Sequence, residues 1–481
     1  MNRLMVVHYL SRILLAGSFL FFFPAMVSLY YGETDSMKVF LILALATAVI
    51  TLPMSMIKPG NMRMYAREGF LIVALLWILY PIIGALPFYI SGSIPSFVDA
   101  VFESVSGFTT TGSTILSDIE SLPRGMLFWR SFTHWVGGMG VLVLAVAVLP
   151  SNNSAMHLMR AECAGPQVGK IVPKGKTSAL YLYIIYAVLT LVTVIFLVLG
   201  GMPLFDSICH AMGTAGTGGF GIKNNGIAYY DSAYLEGVLT VGMILFGVNF
   251  SIYYLILTGH IKNALKNTEL KVYLIIMAAA TALIMINTSG QYQSVFTNFR
   301  YSVFQVSSIM TSTGFATADF IQWPEFSQTV LIVLMFIGAC AGSTGGGLKV
   351  QRIVIMFRSV KKFVRRTLSP KCVYVLKGED KSMDTQTVHG VQTYFILYIG
   401  LLFISLLLVS LDNADFTTSF SSVVTCINNI GPGLNKVGPM ENFSFYSDFS
   451  KVVLTVDMLL GRLECLPMII LLSPSVWRRK F

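Results

Sequence analysis

Four short motifs rich in threonine and glycine recur along the chain, and the glycines that mark them are 106, 96 and 117 residues apart. The motifs are the segments 109–113 (TTTGS), 215–219 (AGTGG), 311–315 (TSTGF) and 428–432 (NNIGP). A cation such as K+ leaves water only where several oxygen atoms replace its hydration shell, and rings of backbone carbonyls do this in ion filters. Glycine reaches, without steric penalty, the backbone angles that turn successive carbonyls toward one axis. Four such segments around one axis would form a filter for a dehydrated cation.

The composition shows what kind of fold must position these motifs. The chain has 481 residues, of which 55% are hydrophobic and 12% are charged. A soluble domain carries about 25% charged residues, so this chain has too few charges to cover a soluble fold of its size. The same figures exclude intrinsic disorder, and the length excludes a small disulfide scaffold. The six cysteines form no CxxC pair and no Cys/His cluster, which gives no indication of a zinc or redox site. We predict an all-α polytopic membrane protein.

Apolar segments of the length needed to cross a membrane, about 20 residues, occur throughout the chain. We predict ten, at 13–31, 37–57, 69–91, 128–150, 178–200, 234–258, 270–287, 328–357, 391–411 and 449–473. Between them lie four shorter stretches that contain the motifs, at 98–114, 205–221, 296–315 and 416–434. These stretches are too short to cross and too apolar for ordinary loops, so we predict that they are re-entrant. A single Thr/Gly motif would favour a turn at a helix–helix contact, but four in equivalent places favour a filter.

The order of these elements predicts an internal repeat. After a two-helix extension over residues 1–57, the unit of span, re-entrant stretch and span occurs four times. We place the four pore repeats at 58–150, 151–259, 260–375 and 376–481, with pseudo-fourfold symmetry around the filter.

The distribution of charge predicts the orientation. With a cytoplasmic N-terminus, 25 of the 33 lysines and arginines fall on the inner side, which agrees with the positive-inside rule. Fifteen of the 23 acidic residues fall on the outer side. A negative outer vestibule would raise the local concentration of cations, although positive-inside sorting alone could produce much of this asymmetry. Ten spans place both termini in the cytoplasm.

The eighth predicted span contains an unusual glycine-rich segment. Residues 327–360 would form a helix of about 50 Å, longer than the ~30 Å hydrocarbon core. Five glycines fall between Gly338 and Gly347, a composition that should interrupt a helix. Non-helical backbone at membrane depth must be buried in protein or face a cavity, so we predict a flexible loop beneath the filter that obstructs the pore. A glycine-rich helix crossing is the alternative.

Arg462 is the basic residue that falls well inside a predicted span. A charge within the membrane is costly and by default marks a functional site. Its charge could repel cations from a narrow closed pore. The alternative is an ion pair with Glu464 or Asp457 that holds two helices together. Glu464 is two residues away and points elsewhere on the helix, so a partner on another span, such as Lys349, is as plausible for that carboxylate.

The four motifs, together with the segments 342–349 (GSTGGGLK) and 460–464 (LGRLE), resemble the TrkH/KtrB superfamily of potassium translocation subunits. The two additional N-terminal helices make the chain similar to the TrkH branch. The resemblance covers essentially the whole chain. It implies K+ uptake across the cell inner membrane, a pseudo-fourfold pore in one chain, a homodimer and a cytoplasmic nucleotide-binding ring of the TrkA type.

The resemblance also assigns individual residues. It places ion contacts at the two residues before each marker glycine, and at the glycine itself: Thr110, Thr111, Gly112, Gly216, Thr217, Gly218, Ser312, Thr313, Gly314, Asn429, Ile430 and Gly431. Glycine at all four marker positions resembles the potassium-selective pattern, with a sodium or mixed-cation transporter of the same superfamily as the alternative. It assigns Arg462 to the gate, alongside the predicted loop with Gly345, Gly346 and Gly347.

Other functions are disfavoured. A membrane-embedded enzyme would need paired acid/base or metal residues at bilayer depth, where the sequence offers Asp457, Arg462 and Glu464. We therefore expect no enzyme and no organic cofactor. The basic run 361–366 lies beside a predicted span, so it favours lipid headgroups or an acidic partner over nucleic acid. The segment 216–221 matches GxGxxG but lacks the flanking strand of a dinucleotide site.

Overall fold

The computed structural model describes residues 3–57, 59–60, 65–140, 175–369 and 385–474. Throughout these ranges the secondary structure is helical, with turns and extended connections and no strand. The prediction of an all-α polytopic membrane protein is confirmed. Helices are expected because each satisfies its own backbone hydrogen bonds in a lipid environment.

Long apolar helices provide the spanning elements. Six in the described ranges are long and apolar enough to cross a membrane: Arg3–Tyr30, Thr34–Met56, Arg67–Ile90, Leu180–Leu199, Thr268–Asn287 and Thr385–Asp412. A bent pair of helices, Ala233–Phe246 and Phe250–Leu257, whose axes differ by 89°, forms either a broken seventh span or a re-entrant loop.

Four shorter helices lie where the sequence predicted re-entrant stretches. These pore helices contain 12, 13, 16 and 12 residues and are Phe97–Phe108, Leu204–Gly216, Val295–Met310 and Phe416–Ile427. Each is too short to cross the hydrocarbon core. Side chains of Ser96, Ser294 and Asp415 accept backbone hydrogen bonds at the start of three of them. Each pore helix leads into one of the Thr/Gly motifs.

Three predicted spans are not continuous helices. The span 234–258 bends between Phe246 and Phe250, and the span 328–357 ends as a helix at Ile337 and resumes at Val350. The span 449–473 breaks between Asp448–Arg462 and Leu466–Leu472. Positive φ angles at Gly338 and at Glu464 and Cys465 turn the chain out of the helix. Apolar length alone could not predict these breaks. The span 128–150 begins as Arg124–Gly138, and the part from residue 141 lies outside the described residues.

The N-terminal extension supports the first pore repeat. The ring of Phe21 lies 4.9 Å from that of Trp129, on helix Arg124–Gly138. Glu33, in the turn between the first two spans, accepts hydrogen bonds from the backbone N–H of Arg124 at 2.6 Å and of Gly125 at 2.9 Å. A carboxylate at this position satisfies free N–H groups and complements the helix dipole.

Glycines permit the close approach of the second helix of a repeat to the end of a pore helix. A Cβ added at Gly137 would lie 1.9 Å from the carbonyl oxygen of Phe108, and one at Gly461 would lie 2.1 Å from that of Ile427. Real Cβ atoms do not approach backbone oxygens so closely, so any larger residue would displace a pore helix.

We predict opposite effects for two helical glycines. Gly461→Ala should lower the free energy of unfolding by about 3 kcal/mol, since it overpacks a contact with rigid backbone. Gly237→Ala lies on an exposed helix face with no atom near its added Cβ, and should raise stability by up to about 1 kcal/mol. Thermal unfolding of the purified variants in detergent measures both. Equal midpoints for the two variants would contradict this packing.

Candidate functional site

The four Thr/Gly segments share one backbone hydrogen-bond pattern. In each, an N–H group just beyond the pore helix donates to a carbonyl five residues earlier, which is a common helix C-cap arrangement. The four bonds measure 2.9, 2.9, 2.8 and 3.0 Å and are Thr111 to Ser106, Gly218 to Gly213, Thr313 to Ser308 and Ile430 to Thr425. The repeat seen in the sequence is therefore also a repeat of backbone conformation.

Backbone angles correct the alignment of the second segment. The residue before each of these N–H donors has a left-handed φ, with values of 57°, 54°, 58° and 54° at Thr110, Thr217, Ser312 and Asn429. Two residues further on, a glycine has φ of 86°, 76°, 81° or 96°, at Gly112, Gly219, Gly314 and Gly431. The sequence analysis aligned Gly218 with the other marker glycines, which is wrong by one residue.

The reason for the error is the glycine pair Gly218-Gly219, since both residues fit the motif and the sequence spacing selected the first. The hydrogen-bond pattern instead aligns Gly218 with Thr111 and Gly216 with Thr109. A signal was present in the sequence, because Gly219-Phe220 matches Gly314-Phe315.

The four segments contact one another in a closed ring. A Cβ at Gly112 would lie 2.1 Å from the Gly218 oxygen, and one at Gly219 would lie 1.8 Å from the Thr313 oxygen. A Cβ at Gly314 would lie 2.2 Å from the Ile430 oxygen, and one at Gly431 would lie 2.8 Å from the Thr111 oxygen, which closes the ring. The backbones therefore surround a common axis.

Hydroxyl and amide groups brace the ring. The hydroxyls of Thr109 and Thr111 are 2.8 Å apart, as are those of Thr311 and Thr313. Asn429 departs from the threonine pattern but bridges two segments, since its Nδ2 donates to Thr111 Oγ1 at 2.9 Å. All twelve predicted filter residues, with Gly219, belong to the four segments. They provide carbonyl and hydroxyl oxygens. No group of three His, Cys, Asp or Glu side chains that could hold a metal occurs in the described ranges.

The glycine-rich segment packs directly against the ring. Helices end at Ile337 and begin at Val350, so the predicted interruption is confirmed. The N–H of Gly346 donates to Ser312 Oγ at 2.5 Å, and a Cβ at Gly346 would lie 2.1 Å from the Asn428 oxygen. A Cβ at Gly345 would lie 2.7 Å from the Thr311 oxygen. Gly347 has a φ of 77°, which favours glycine. These contacts connect the loop to the third and fourth segments.

Other partners hold the far side of this loop. The N–H of Ala341 donates to Glu269 Oε1 at 2.6 Å, and the Gly342 oxygen accepts from the N–H of Phe250 at 3.1 Å. Lys349 Nζ donates to the Gly345 oxygen. The segment was expected to be flexible, but in this conformation it is held by hydrogen bonds from several helices.

Arg462 connects the first segment to the loop. Its Nη1 donates to Thr110 Oγ1 at 3.3 Å and to the Thr344 oxygen at 2.8 Å. Its Nη2 donates to the carbonyl oxygens of Gly138, at 2.8 Å, and Gly137. Both acidic alternative partners are engaged elsewhere. Glu464 pairs with Arg352, and Asp457 accepts from Ser405 Oγ at 2.6 Å.

A cavity of about 80 Å³ adjoins the ring and is lined by Gly112, Gly314 and Gly431 among others. Beside it, Lys223 Nζ lies 3.0 Å from Glu120 Oε2. This hydrogen bond lowers the pKa of Glu120 and raises the pKa of Lys223. Both groups lie in connections outside the spanning helices, where water screens their interaction.

Sequence reasoning missed a buried ion pair behind the ring. Arg130 and Glu103 are 1% and 0% exposed, and their nearest nitrogen and oxygen are 2.8 Å apart. Arg130 lies at the start of the predicted span 128–150 and was not among the candidate site residues. A signal was present, since Glu103 is an acidic residue within the apolar stretch 98–114.

Comparisons with known proteins extend over nearly the whole chain. The TrkH family, described as cation transport protein, matches residues 35–479. The chain is 35% identical over 465 residues to the Trk system potassium uptake protein TrkH of Salmonella typhimurium, covering 95% of each chain. It is 36% identical over 419 residues to the TrkH protein of Escherichia coli, covering 86% of each.

A solved structure agrees with these sequence relationships. The crystal structure of the potassium transporter TrkH from Vibrio parahaemolyticus superposes with a TM-score of 0.89 and 31% identity, over 99% of this chain and 100% of that one. The relatives are transport proteins, not enzymes. The chain belongs to the TrkH family of cation transport proteins.

Proposed function

We propose that this protein takes up K+ across the cytoplasmic membrane through a selective, gated pore. The observation that carries the proposal is the closed ring of four backbone segments that share one conformation. The relatives named above are potassium uptake proteins or a potassium transporter, which supports K+ as the transported ion. The inward direction follows from the negative-inside membrane potential, worth about 2.3 kcal/mol per charge at 100 mV.

The proposed filter is formed by backbone carbonyls of the four segments. They are 109–112, 216–219, 311–314 and 428–431, in the register that the positive φ angles define. Carbonyl oxygens fixed in a ring can replace the hydration shell of K+, whereas the smaller Na+ keeps more of its water. The glycine in all four segments favours this over the sodium or mixed-cation alternative.

The proposed gate consists of the glycine-rich loop and Arg462. The loop contacts the third and fourth filter segments, and the guanidinium donates to both the loop and the first segment. A positive charge beside a narrow pore repels a cation strongly because the surroundings screen it poorly. Opening would require these hydrogen bonds to break and the loop to leave the ion path.

Further components follow from the same family relationship. We infer a multi-pass protein of the cell inner membrane with both termini in the cytoplasm, organised as an N-terminal extension and four pore repeats. A homodimer with a nucleotide-binding ring of the TrkA type is the assembly we propose, since the relatives are named as parts of a Trk system. Helix Val350–Leu368 carries six basic residues and is suited to lipid headgroups or to an acidic partner.

Ion selectivity tests the proposed function. We expect the current through the purified protein, in liposomes under opposed K+ and Na+ gradients, to have a reversal potential near the equilibrium potential of K+. In Gly112→Ser the reversal potential should move toward Na+, because the added atoms press on the Gly218 oxygen. Equal permeability of the wild-type protein to both ions would favour the mixed-cation transporter.

The corrected register predicts that Gly219→Ala abolishes selective K+ flux. Its Cβ would collide with the Thr313 oxygen, at a φ of 76° that disfavours side chains. Gly201→Ala is the matched control, since Gly201 has a φ of 86° but no atom within 4 Å of the added Cβ. It should lose about 1 kcal/mol of stability and keep wild-type selectivity. Liposome flux measures both, and selective flux retained by Gly219→Ala would refute the register.

The gate proposal predicts greater flux when its contacts are removed. Arg462→Gln should raise K+ flux in the absence of any cytoplasmic partner by about tenfold, the effect of losing one strong charge-assisted hydrogen bond. Deletion of residues 342–347 should raise the K+ flux by at least the same factor. Lys436→Gln removes an exposed outer charge and serves as the control. Unchanged flux in a well-folded deletion variant would show that the loop does not obstruct the pore.

A further inference from the structure

A ring of buried polar residues lies behind the proposed filter. Nine residues before each filter glycine of the corrected register, the pore helix carries a polar side chain that is 0% exposed: Glu103, His210, Gln305 and Ser422. Each side chain forms a hydrogen bond with a residue that follows its filter segment in the sequence. Three of the four are uncharged residue types, so the first repeat differs in chemistry from the rest.

The other three members make fewer contacts with the chain beyond their filter segments. His210 Nε2 lies 3.3 Å from the Tyr230 hydroxyl, and Gln305 Nε2 donates to the Ala318 oxygen at 3.1 Å. Ser422 Oγ lies 2.9 Å from the Tyr446 hydroxyl. These contacts position the outer connections of the second, third and fourth repeats.

Glu103 instead holds the outer end of the first filter segment with several bonds. The Thr114 hydroxyl lies 3.0 Å from both carboxylate oxygens, and the N–H of Ile115 donates to Oε2 at 3.0 Å. Thr114 and Ile115 follow Gly112 by two and three residues. Arg130 Nε donates to Glu103 Oε1 at 2.9 Å, so the carboxylate is neutralised where it lies.

Arg130 extends this network to the second filter segment. Its Nη1 donates to the Gly221 oxygen at 3.1 Å, and its guanidinium lies 4.1 Å from the centre of the Phe220 ring. Phe220 and Gly221 directly follow Gly219. One planar cation therefore contacts the outer ends of two neighbouring filter segments, a geometry that suits the fixed fork of arginine.

His134, one helical turn after Arg130, also connects the first repeat to the second filter segment. Its Nδ1 lies 2.8 Å from the Gly107 oxygen, which can only accept, so Nδ1 carries the proton. Its Nε2 accepts from the N–H of Phe220 at 3.2 Å. The ring is thus held neutral, and it joins the first pore helix to the second filter segment.

We propose that Arg130 and Glu103, assisted by His134, are positioning residues that fix the separation of the first and second filter segments and thereby set the preference for K+ over Na+. This rests on the proposed function of the ring as a potassium filter. None of the three needs to touch the ion. A carbonyl ring discriminates between ions only while its diameter is maintained, and a buried charged network is rigid when all of its members are bonded.

Substitution of Arg130 by lysine separates geometry from charge. Arg130→Lys keeps the positive charge beside Glu103, but a single ammonium cannot donate to Glu103 and Gly221 while lying flat on Phe220. We expect the ratio of K+ to Na+ permeability, from reversal potentials in liposomes, to fall by about tenfold, the scale of one lost charge-assisted hydrogen bond.

The Arg300–Glu236 pair provides a matched control. Arg300 Nε lies 3.0 Å from Glu236 Oε2 and joins helix Val295–Met310 to helix Ala233–Phe246 rather than two filter segments. Arg300→Lys should keep the wild-type permeability ratio. A wild-type ratio in Arg130→Lys, or an equal fall in both variants, would overturn the proposal.

A second variant keeps the test decisive where Arg130→Lys does not fold. Thr114→Val removes the hydroxyl bonded to Glu103 without changing any charge, and should lower the permeability ratio about threefold, as expected for one neutral hydrogen bond. An unchanged ratio in Thr114→Val would then refute the proposal. A wild-type protein without K+ preference would refute the proposed function and this role with it, whereas a selective wild type beside an unaffected Arg130→Lys would refute this role alone.

Discussion

The close approach of four backbone segments is the constraint on which the rest of the structure depends. Each segment lies so near to the next that an added Cβ would fall 1.8 to 2.8 Å from a carbonyl oxygen of its neighbour. Only glycine fits at such a contact, and only glycine adopts the accompanying φ angles without strain. The same proximity brings carbonyl oxygens of all four segments around one axis.

The surrounding helices are shaped by the need to hold this ring inside a membrane. Extended backbone cannot face lipid, so the four segments are buried among the helices around them. Glycines such as Gly137 and Gly461 allow these helices to approach the ends of the pore helices. The four polar side chains nine residues before the filter glycines each have a partner, and a buried polar group without one costs about 1–3 kcal/mol.

The breaks in the second helices connect the ring to the proposed gate. In the third repeat the break is the loop that donates to Ser312, and in the fourth it lies directly after Arg462. Arg462 touches the first filter segment and the loop of the third repeat together. A movement of helix Val350–Leu368, which begins where the loop ends, would therefore be transmitted to both.

Much of this molecule was determined by its sequence alone. Low charge and repeated apolar segments indicated a polytopic helical protein, and the four Thr/Gly motifs indicated the four segments that contact one another. Five glycines between Gly338 and Gly347 indicated a break in a span. These inferences succeeded because each depends on local composition, on the length of a helix that crosses lipid, or on the freedom of glycine.

Only the tertiary structure decided which atoms meet. The choice between Gly218 and Gly219 depends on how the second segment contacts the third, and a sequence with adjacent glycines leaves that open. The 89° bend after Phe246 and the break after Arg462 both fall inside continuous apolar stretches, so apolar length could not reveal them. The pairing of Arg130 with Glu103 joins residues 27 positions apart on different helices, and their burial makes an apparent surface charge part of the core. Contacts between distant residues are set by the fold as a whole, which is why local patterns could not predict them.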